Sequence, residues 1–307
     1  MTLAALPPSP DNCCAIVVSY HPDTGFLERL DRIGQQFKCV VIIDNASTLE
    51  VQNQLQAYCV SKSLTNISLI QNPHNLGIAS ALNQGIDYAL KHDFEWLITF
   101  DQDSVIEADL LAELIRLYAL ASDKPVLLGC NYFHSALNRA AIAPRDANTL
   151  VERTTLISSG TLIRSDLFKQ VGKFRADYFI DSVDHEFSLR VRQHGFTLWS
   201  STRVLMRHSI GNHSTSNRLK PFRIPQHSAL RKYYITRNAL VTAAHYARQE
   251  PLWAFKQLAR LTIEFIAIIL YEPAKLQKIA AMGLGISHAI TGRMGELTSP
   301  QWVTTST

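Results

Sequence analysis

The chain has 307 residues, 47% of them hydrophobic and 18% charged, a balance that fits one large folded domain with or without an appendage and excludes the disordered and collagen-like classes. Its five cysteines, at 13, 14, 39, 59 and 130, show no C-x-x-C or Cys/His spacing and read as reduced packing residues. The formal net charge of +4 is uneven: residues 187–249 hold eleven Lys and Arg and no Asp or Glu, so this block is either a solvated basic face or the neighbour of an anionic group such as phosphate, nucleic acid or acidic lipid.

Residues 1–12 carry neither a basic start nor a long apolar stretch, so they read as a tail and not as a secretory leader, and a cytoplasmic location is expected. Apolar β-branched runs at 15–18, 40–43, 67–70 and 96–100 predict strands. Between them, Phe26, Leu27, Leu30, Ile33 and Phe37 form one helical stripe, and Ile78, Ala79, Leu82, Ile86, Ala89 and Leu90 another. Strand and helix alternate, and the strands are apolar without a period of two, which predicts an α/β fold around a mainly parallel sheet buried on both faces. Further strands are expected at 126–130, 156–163 and 204–206, with a helix around 184–194. From Ala229 the pattern is helical only, broken at Pro251 and Pro273. The expected division is therefore a tail at 1–12, an α/β domain at 13–228 and a helical C-terminal segment at 229–307. The longest apolar run, 261–271, is interrupted by Glu264 and falls short of the roughly 20 residues a membrane-spanning helix needs.

Ligands of such sheets bind beyond the carboxyl ends of the strands, and here those ends are polar: Ser19-Tyr20, Asp44-Asn45, the stretch holding Asn75 and Gly77, and Asp101-Gln102-Asp103. Two carboxylates two residues apart at a turn can hold Mg²⁺ or Mn²⁺ against a diphosphate, or simply cap the turn. A carboxylate at 44 can accept from a pyrimidine N–H or a ribose hydroxyl, or close a strand-end turn. Asn75 and Gly77, leading into a helix that continues through Asn83, either let backbone N–H groups approach a ligand or cap the helix. In the second acidic cluster, 181–190, Asp184 sits near a helix start with its carboxylate free to act as a base, or it complements the helix dipole.

Taken in order, strand-Ser-Tyr, Val-Ile-Ile-Asp-Asn-Ala-Ser, Asn-x-Gly-Ile-Ala-x-Ala-Leu-Asn-x-Gly, Phe-Asp-Gln-Asp-Ser, Ser-Ser-Gly and Asp-x-Glu-Phe-x-Leu-Arg resemble the family 2 inverting glycosyltransferases of GT-A fold. The Asp-Gln-Asp-Ser form, Phe-Ile-Asp-x-Val-Asp-x-Glu-Phe and the later Tyr-Tyr-x-x-Arg-Asn resemble bacterial rhamnosyltransferases that use dTDP-L-rhamnose, and the resemblance spans about 14–245. It implies that Asp44 meets the nucleoside, that Asp103 with Asp101 holds a divalent metal, and that Asp184 is the base. Family members often carry Glu-Asp at the base, whereas Val183 precedes Asp184 here. His208 resembles the late histidine that completes metal or diphosphate binding. The expected nucleotide-sugar contacts are Ser19, Tyr20, Asp44, Asn45, Asn75, Gly77, Asn83, Asp101 and Gln102, with Arg231 and Arg237 supplying positive charge and Asp181 and Glu186 facing the acceptor.

The resemblance thus implies an inverting transfer of a sugar, L-rhamnose first among the candidates, to a saccharide or lipid-linked acceptor in surface-polysaccharide or lipopolysaccharide (O-antigen) synthesis. The alternatives are the same scaffold with a UDP-hexose, or a non-catalytic nucleotide- or nucleic-acid-binding protein. Carboxylates at the strand ends repel a phosphate backbone, which argues against nucleic acid, and no G-x-G-x-x-G follows the first strand, which argues against a dinucleotide enzyme. The stripes Leu252/Phe255/Leu258/Ala259 and Ile263/Ile266/Ala267/Leu270, beside Arg248, Lys256 and Arg260, fit a peripheral contact with the cytoplasmic membrane, a homodimer, or packing on the catalytic domain.

Overall fold

The computed structural model describes residues 6–61, 67–135, 137–146, 148–208 and 227–298, and at His208 the backbone alone. The first half alternates as the sequence predicts: β1 (Cys13–Ser19), α1 (Phe26–Gly34), β2 (Cys39–Asp44), α2 (Leu49–Ser61), β3 (Ile67–Gln71), α3 (Ile78–Lys91) and β4 (Trp96–Asp101). Then follow β5 (Val105–Ile106), α4 (Leu110–Leu120), β6 (Leu127–His134), β7 (Arg139–Ala140), β8 (Leu150–Arg153), β9 (Thr161–Arg164), α5 (Leu167–Val171), α6 (Val183–Gln193) and β10 (Leu198–His208). Three helices end the described chain: α7 (Ala229–Tyr246), α8 (Pro251–Tyr271) and α9 (Lys275–Thr291). Pro251 is the first residue of α8, where its missing N–H costs nothing, and Pro273 lies in the turn before α9.

One sheet runs in the order β3-β2-β1-β4-β9-β6-β10-β5, with β7 on β6 and β8 on β10. The first four strands are parallel, and their register sets Ser19 opposite Asp44, Asp44 opposite Gln71, and Val18 opposite Asp101. The polar strand ends therefore stand in one row. β9 runs antiparallel to both β4 and β6, while β6 and β10 are parallel. Because successive side chains of a strand point to opposite faces, Cys13, Ala15 and Val17 enter one core with Phe26, Leu30 and Leu114, while Cys14, Ile16 and Val18 enter the other with Leu82, Ile86 and Phe187. Gly85 allows α3 to lie close on the sheet, since a Cβ there would stand 2.3 Å from Ile16 Cγ2.

Two expectations need correction. The strand expected over 156–163 forms only from Thr161, because the preceding backbone is bent onto the end of β4: Thr99 Oγ1 donates to the Ser158 carbonyl at 2.6 Å and Gly160 N–H donates to the Thr99 carbonyl at 2.8 Å. Gly160 makes this bend at φ +73°, where a Cβ would also strike Cys130 Sγ at 2.3 Å. The strand expected at 204–206 is part of the longer β10, whose register against β6 shifts between Ser200 and Met206.

The C-terminal helices pack on the preceding fold as well as on one another: Leu189 of α6 shares a buried cluster with Ala243, Tyr246, Trp253 and Ala254, and Tyr178 Oη lies 2.9 Å from Thr242 Oγ1. No helix among the described residues is long and apolar enough to cross a membrane. The three helices are joined by a buried ionic network in which Lys232 Nζ meets Glu264 at 2.5 Å and Glu272 at 3.4 Å, and Lys278 meets Glu272 at 2.6 Å. Removing one member leaves a carboxylate without its cation in a dry site. Lys232→Met should therefore lower stability by about 3–5 kcal/mol, measured by urea unfolding. A loss below about 1 kcal/mol, the scale of an exposed pair, would mean that water already reaches the network.

Candidate active site

A cleft of about 950 Å³ opens at the carboxyl ends of β1, β2 and β4, facing residues 179–185 and the inner sides of α7 and α8. Of the residues singled out in the sequence, it is lined by Tyr20, Asn45, Asn75, Gly77, Asp101, Gln102, Asp103, Asp181, Asp184 and Arg231. The Asp-Gln-Asp turn is held from both sides. Asp101 N–H donates to Ser159 Oγ at 3.3 Å, and the hydroxyls of Ser159 and Ser104 lie 2.7 Å apart. Gln102 ties this turn to the loop after β1, accepting from Tyr20 N–H on its side-chain oxygen and from Arg29 Nε on its carbonyl, each at 2.7 Å.

Beyond the ends of β2 and β3, asparagines satisfy one another. Asn45 Nδ2 donates to Asn75 Oδ1 at 2.8 Å, and Asn45 Oδ1 accepts from Asn72 Nδ2 and Leu76 N–H, each at 3.0 Å. The N–H groups at the α3 start are spent within the protein, because Gly77 N–H donates to Asn75 Oδ1 at 2.9 Å and Ile78 N–H to the Phe179 carbonyl at 2.7 Å. The expected approach of those amides to a ligand is thus replaced by a contact with the opposite wall. Gly77, at φ +81°, is required for it, since a Cβ would stand 2.5 Å from the Phe179 oxygen.

That wall is backbone in an unusual conformation. Phe179, Asp181 and Ser182 have φ of 63°, 65° and 59°, values that cost energy in any residue but glycine. α7 holds them in place. Asn238 Nδ2 donates to the carbonyls of Tyr178, Ile180 and Asp181 at 2.9, 2.7 and 3.0 Å, and Arg237 Nη2 donates to those of Asp177 and Tyr178 at 3.3 and 3.2 Å. The segment delivers Asp181 to Arg231, with Nε–Oδ2 and Nη2–Oδ1 both at 3.2 Å. Burial pushes the Asp181 carboxyl up against the downward pull of Arg231. Burial works against the Arg231 charge, yet Asp181, with Asp101 and Asp103, holds the guanidinium above its ordinary range. His227, on the same wall, is pushed down to about 3 by burial and by the neighbouring Arg231, Lys232, Arg260 and Lys278, so it is neutral at neutral pH.

Asp184 lies in the first turn of α6, where Oδ1 accepts from His185 N–H at 2.8 Å. Across the cleft, burial and then the Asp184 carboxylate raise the Tyr132 phenol. Among the described residues no three His, Cys, Asp or Glu side chains gather into a metal-enclosing group. The oxygen donors that Asp101 and Asp103 bring to the cleft nevertheless suit Mg²⁺ or Mn²⁺, which take their other ligands from phosphate and water. His208 ends β10 opposite His134, and its side chain lies outside the described residues.

Five expected site residues do not line the cleft. Ser19 and Asp44 are fully buried and bonded to each other at 3.1 Å, and Asp44 also accepts from Ser47 Oγ at 2.5 Å, Ser47 N–H at 3.1 Å and Gln52 Nε2 at 3.3 Å. Asn83 bridges α3 to the backbone of Phe174, donating at 2.8 Å and accepting at 3.0 Å. Glu186 pairs with Arg190 at 2.8 Å and accepts from Tyr246 Oη at 3.1 Å. Arg237 is in the core, where Nη1 donates to Tyr233 Oη at 3.0 Å and to the Gly295 carbonyl at 2.8 Å. Conversely, His21, Tyr132, His185, His227, Gln257 and Arg260 line the cleft unannounced. Tyr132 extends a predicted strand and was within reach of the pattern, whereas Gln257 and Arg260 sit in a helix whose apolar stripes drew attention to its opposite face.

Asn238→Ala strips the donor from three carbonyls of the wall. It should lower stability by about 1–3 kcal/mol and speed amide hydrogen exchange at residues 178–186. Unchanged exchange there would mean that the segment holds itself.

The sequence model of glycosyl transferase family 2 matches residues 14–157. Over 243 residues the chain is 31% identical to the dTDP-rhamnosyl transferase RfbF of Shigella flexneri, covering 75% of this chain and 79% of that one. Among solved structures, S. aureus TarS 1-349 superposes with a TM-score of 0.61 at 14% identity, covering 92% of this chain and 82% of TarS. The mannosyltransferase PcManGT from Pyrobaculum calidifontis, in complex with GDP-Man and Mn²⁺, gives 0.58 at 15% identity over 95% and 90% of the two chains. These last two likenesses concern the fold. With its alternating half, its polar strand ends and its helical closure, the chain belongs to glycosyl transferase family 2 and has the GT-A fold.

Proposed function

We propose that the enzyme transfers L-rhamnose from dTDP-β-L-rhamnose, with inversion, to a hydroxyl of a saccharide or lipid-linked acceptor in bacterial surface-polysaccharide synthesis, at the inner face of the cytoplasmic membrane. The observation that carries this reading is the meeting, in one cleft, of the Asp101/Asp103 carboxylates after β4 with a separate carboxylate, Asp184, at the start of α6. The likeness to a dTDP-rhamnosyl transferase supports the choice of donor.

In this reading Tyr20, Asn45, Asn75, Gly77 and Gln102 form the side that receives the nucleotide. Asp101 and Asp103 would hold a divalent cation, which when bound supplies positive charge to the diphosphate. Asp184 takes the proton of the acceptor hydroxyl as its oxygen bonds to the anomeric carbon, and the bond from that carbon to the diphosphate breaks on the opposite face. The proton remains on Asp184 and the negative charge leaves with dTDP. Arg231, fixed by its two contacts with Asp181, stabilises that charge as it develops. Neutral His227 adds no competing cation, and Asp181 sets the position of Arg231 from the side of the cleft that faces the acceptor.

Asp184→Asn keeps size and hydrogen bonding but cannot take a proton. Turnover should fall about 10²–10⁴-fold with donor Kd nearly unchanged, while Glu186→Gln, in the core, should act mainly on stability. Near-normal turnover in Asp184→Asn would remove it as the base. Donor and metal are tested by thermal shift: dTDP at a hundredfold its Kd should stabilise by about 2.7 kcal/mol, more with Mn²⁺ than without, and Asp103→Asn should abolish the Mn²⁺ increment. Stronger stabilisation by UDP would overturn the donor, and full activity in EDTA would overturn the metal.

A further inference from the structure

We propose that the outer face of α8 docks on an anionic lipid bilayer. This goes beyond sugar transfer, and its test needs neither donor nor acceptor. The inner face of α8 lines the cleft through Gln257, Arg260 and Leu261, and its next turns bury Glu264, Ala267 and Ile268. The opposite face carries large apolar side chains in the open: Leu252 is 64% exposed, Phe255 68%, Ile266 48% and Leu270 56%, with Leu258 and Ile263 between them. Spacings of three or four residues within each half, and of eleven (three turns) from Leu252 to Ile263 and Phe255 to Ile266, put these on one stripe along a helix of 21 residues or about 30 Å. Such a stripe along a whole helix is far more than the scattered apolar residues of an ordinary surface.

Charge selects the occupant. From 251 to 295 the chain has two acidic residues, Glu264 and Glu272, and both are buried against Lys232 and Lys278. The exposed charges on and beside α8, apart from Arg260 on the cleft side, are the cations Arg248, Lys256 and Lys275, while the nearest acid before the helix, Glu250, is paired with Arg192 at 2.6 Å. The apolar stripe is thus edged by cations without exposed carboxylates among them. A second copy would set like charges against like. Anionic headgroups neutralise the edge while the acyl boundary accepts the stripe, each nearby Lys or Arg adding about 1 kcal/mol at such a surface. With α8 in the membrane plane, the cleft opens one helix diameter from the headgroups, within reach of an acceptor carried on lipid.

The full-length chain should sediment with phosphatidylglycerol/phosphatidylcholine vesicles, weakly with phosphatidylcholine alone, and less as salt rises. Phe255→Ser with Ile266→Ser should weaken binding to the anionic vesicles at least about tenfold, and Lys256→Glu with Lys275→Glu should remove the preference for them. Thermal unfolding, which should be unchanged in both exposed-face variants, excludes misfolding as the cause. Failure of the wild type to sediment, or equal sedimentation of the apolar variant, would overturn the proposal. So would a wild-type dimer in sedimentation velocity that the apolar variant converts to monomer, because the face would then be a contact between copies.

Discussion

The hydrogen bonds from one carboxamide, Asn238, to three successive bends of backbone are the constraint on which the cleft depends. Left-handed residues other than glycine cost about 1–3 kcal/mol each, and Phe179, Asp181 and Ser182 are three of them within four positions. The Asn238 amide offsets that cost by donating to the carbonyls of Tyr178, Ile180 and Asp181. With these bonds, Phe179 offers its oxygen to the first amide of α3, Asp181 turns to Arg231, and Asp184 follows in the first helical turn. A residue in the C-terminal third thereby sets the relative position of two helices that lie a hundred residues apart in sequence.

Electrostatics within the molecule follow from the same packing. Much of the described part of the acid-free block is paired, because the acidic remainder of the chain supplies partners, while Arg207 and Arg248 are exposed. Arg190 meets Glu186, Arg192 meets Glu152 and Glu250, Arg203 meets Asp109, and Lys232 meets Glu264 and Glu272. Among the described cations of the block Arg231 is the one that lines the cleft, and the carboxylates around it keep it charged despite burial. In the proposed reaction a leaving diphosphate would meet a cation already oriented by Asp181, the form in which a charge contributes most to a transition state.

Much of this was legible in the sequence, for physical reasons that also mark where legibility ends. Strands buried on both faces announce themselves as apolar runs, and their polar carboxyl ends fall in one row because parallel register leaves little freedom; hence Asn45, Asp101 and Asp103 all line the cleft. Side-chain direction at those ends is another matter. Ser19 and Asp44 share the row yet turn to each other and to Ser47, a choice made by a local turn and invisible to periodicity. Arg237 was assigned to the cleft with Arg231 from the same block, but on an α-helix a separation of six residues puts the two on different faces, and the receptors of Arg237, carbonyls at 177, 178 and 295, come from distant chain. The Ser-Ser-Gly stretch looked like strand because its neighbours are apolar, whereas Gly160 and the β4 edge bend it into a support for Asp101.

The position of Asn238 has an evolutionary corollary. In many two-part enzymes the terminal segment can be exchanged between relatives to bring a new recognition surface to an old catalytic half. Here the terminal helices carry the donors that shape the catalytic backbone, one wall of the cleft and the outward stripe on the same rigid frame. Grafting a foreign tail after residue 228 would import new surface chemistry only together with an Asn at the matching helical position, so drift in the tail and in the 177–182 segment must proceed in step. Chimeras that divide the chain at that apparent seam will fail at the turn before α6, far from the join.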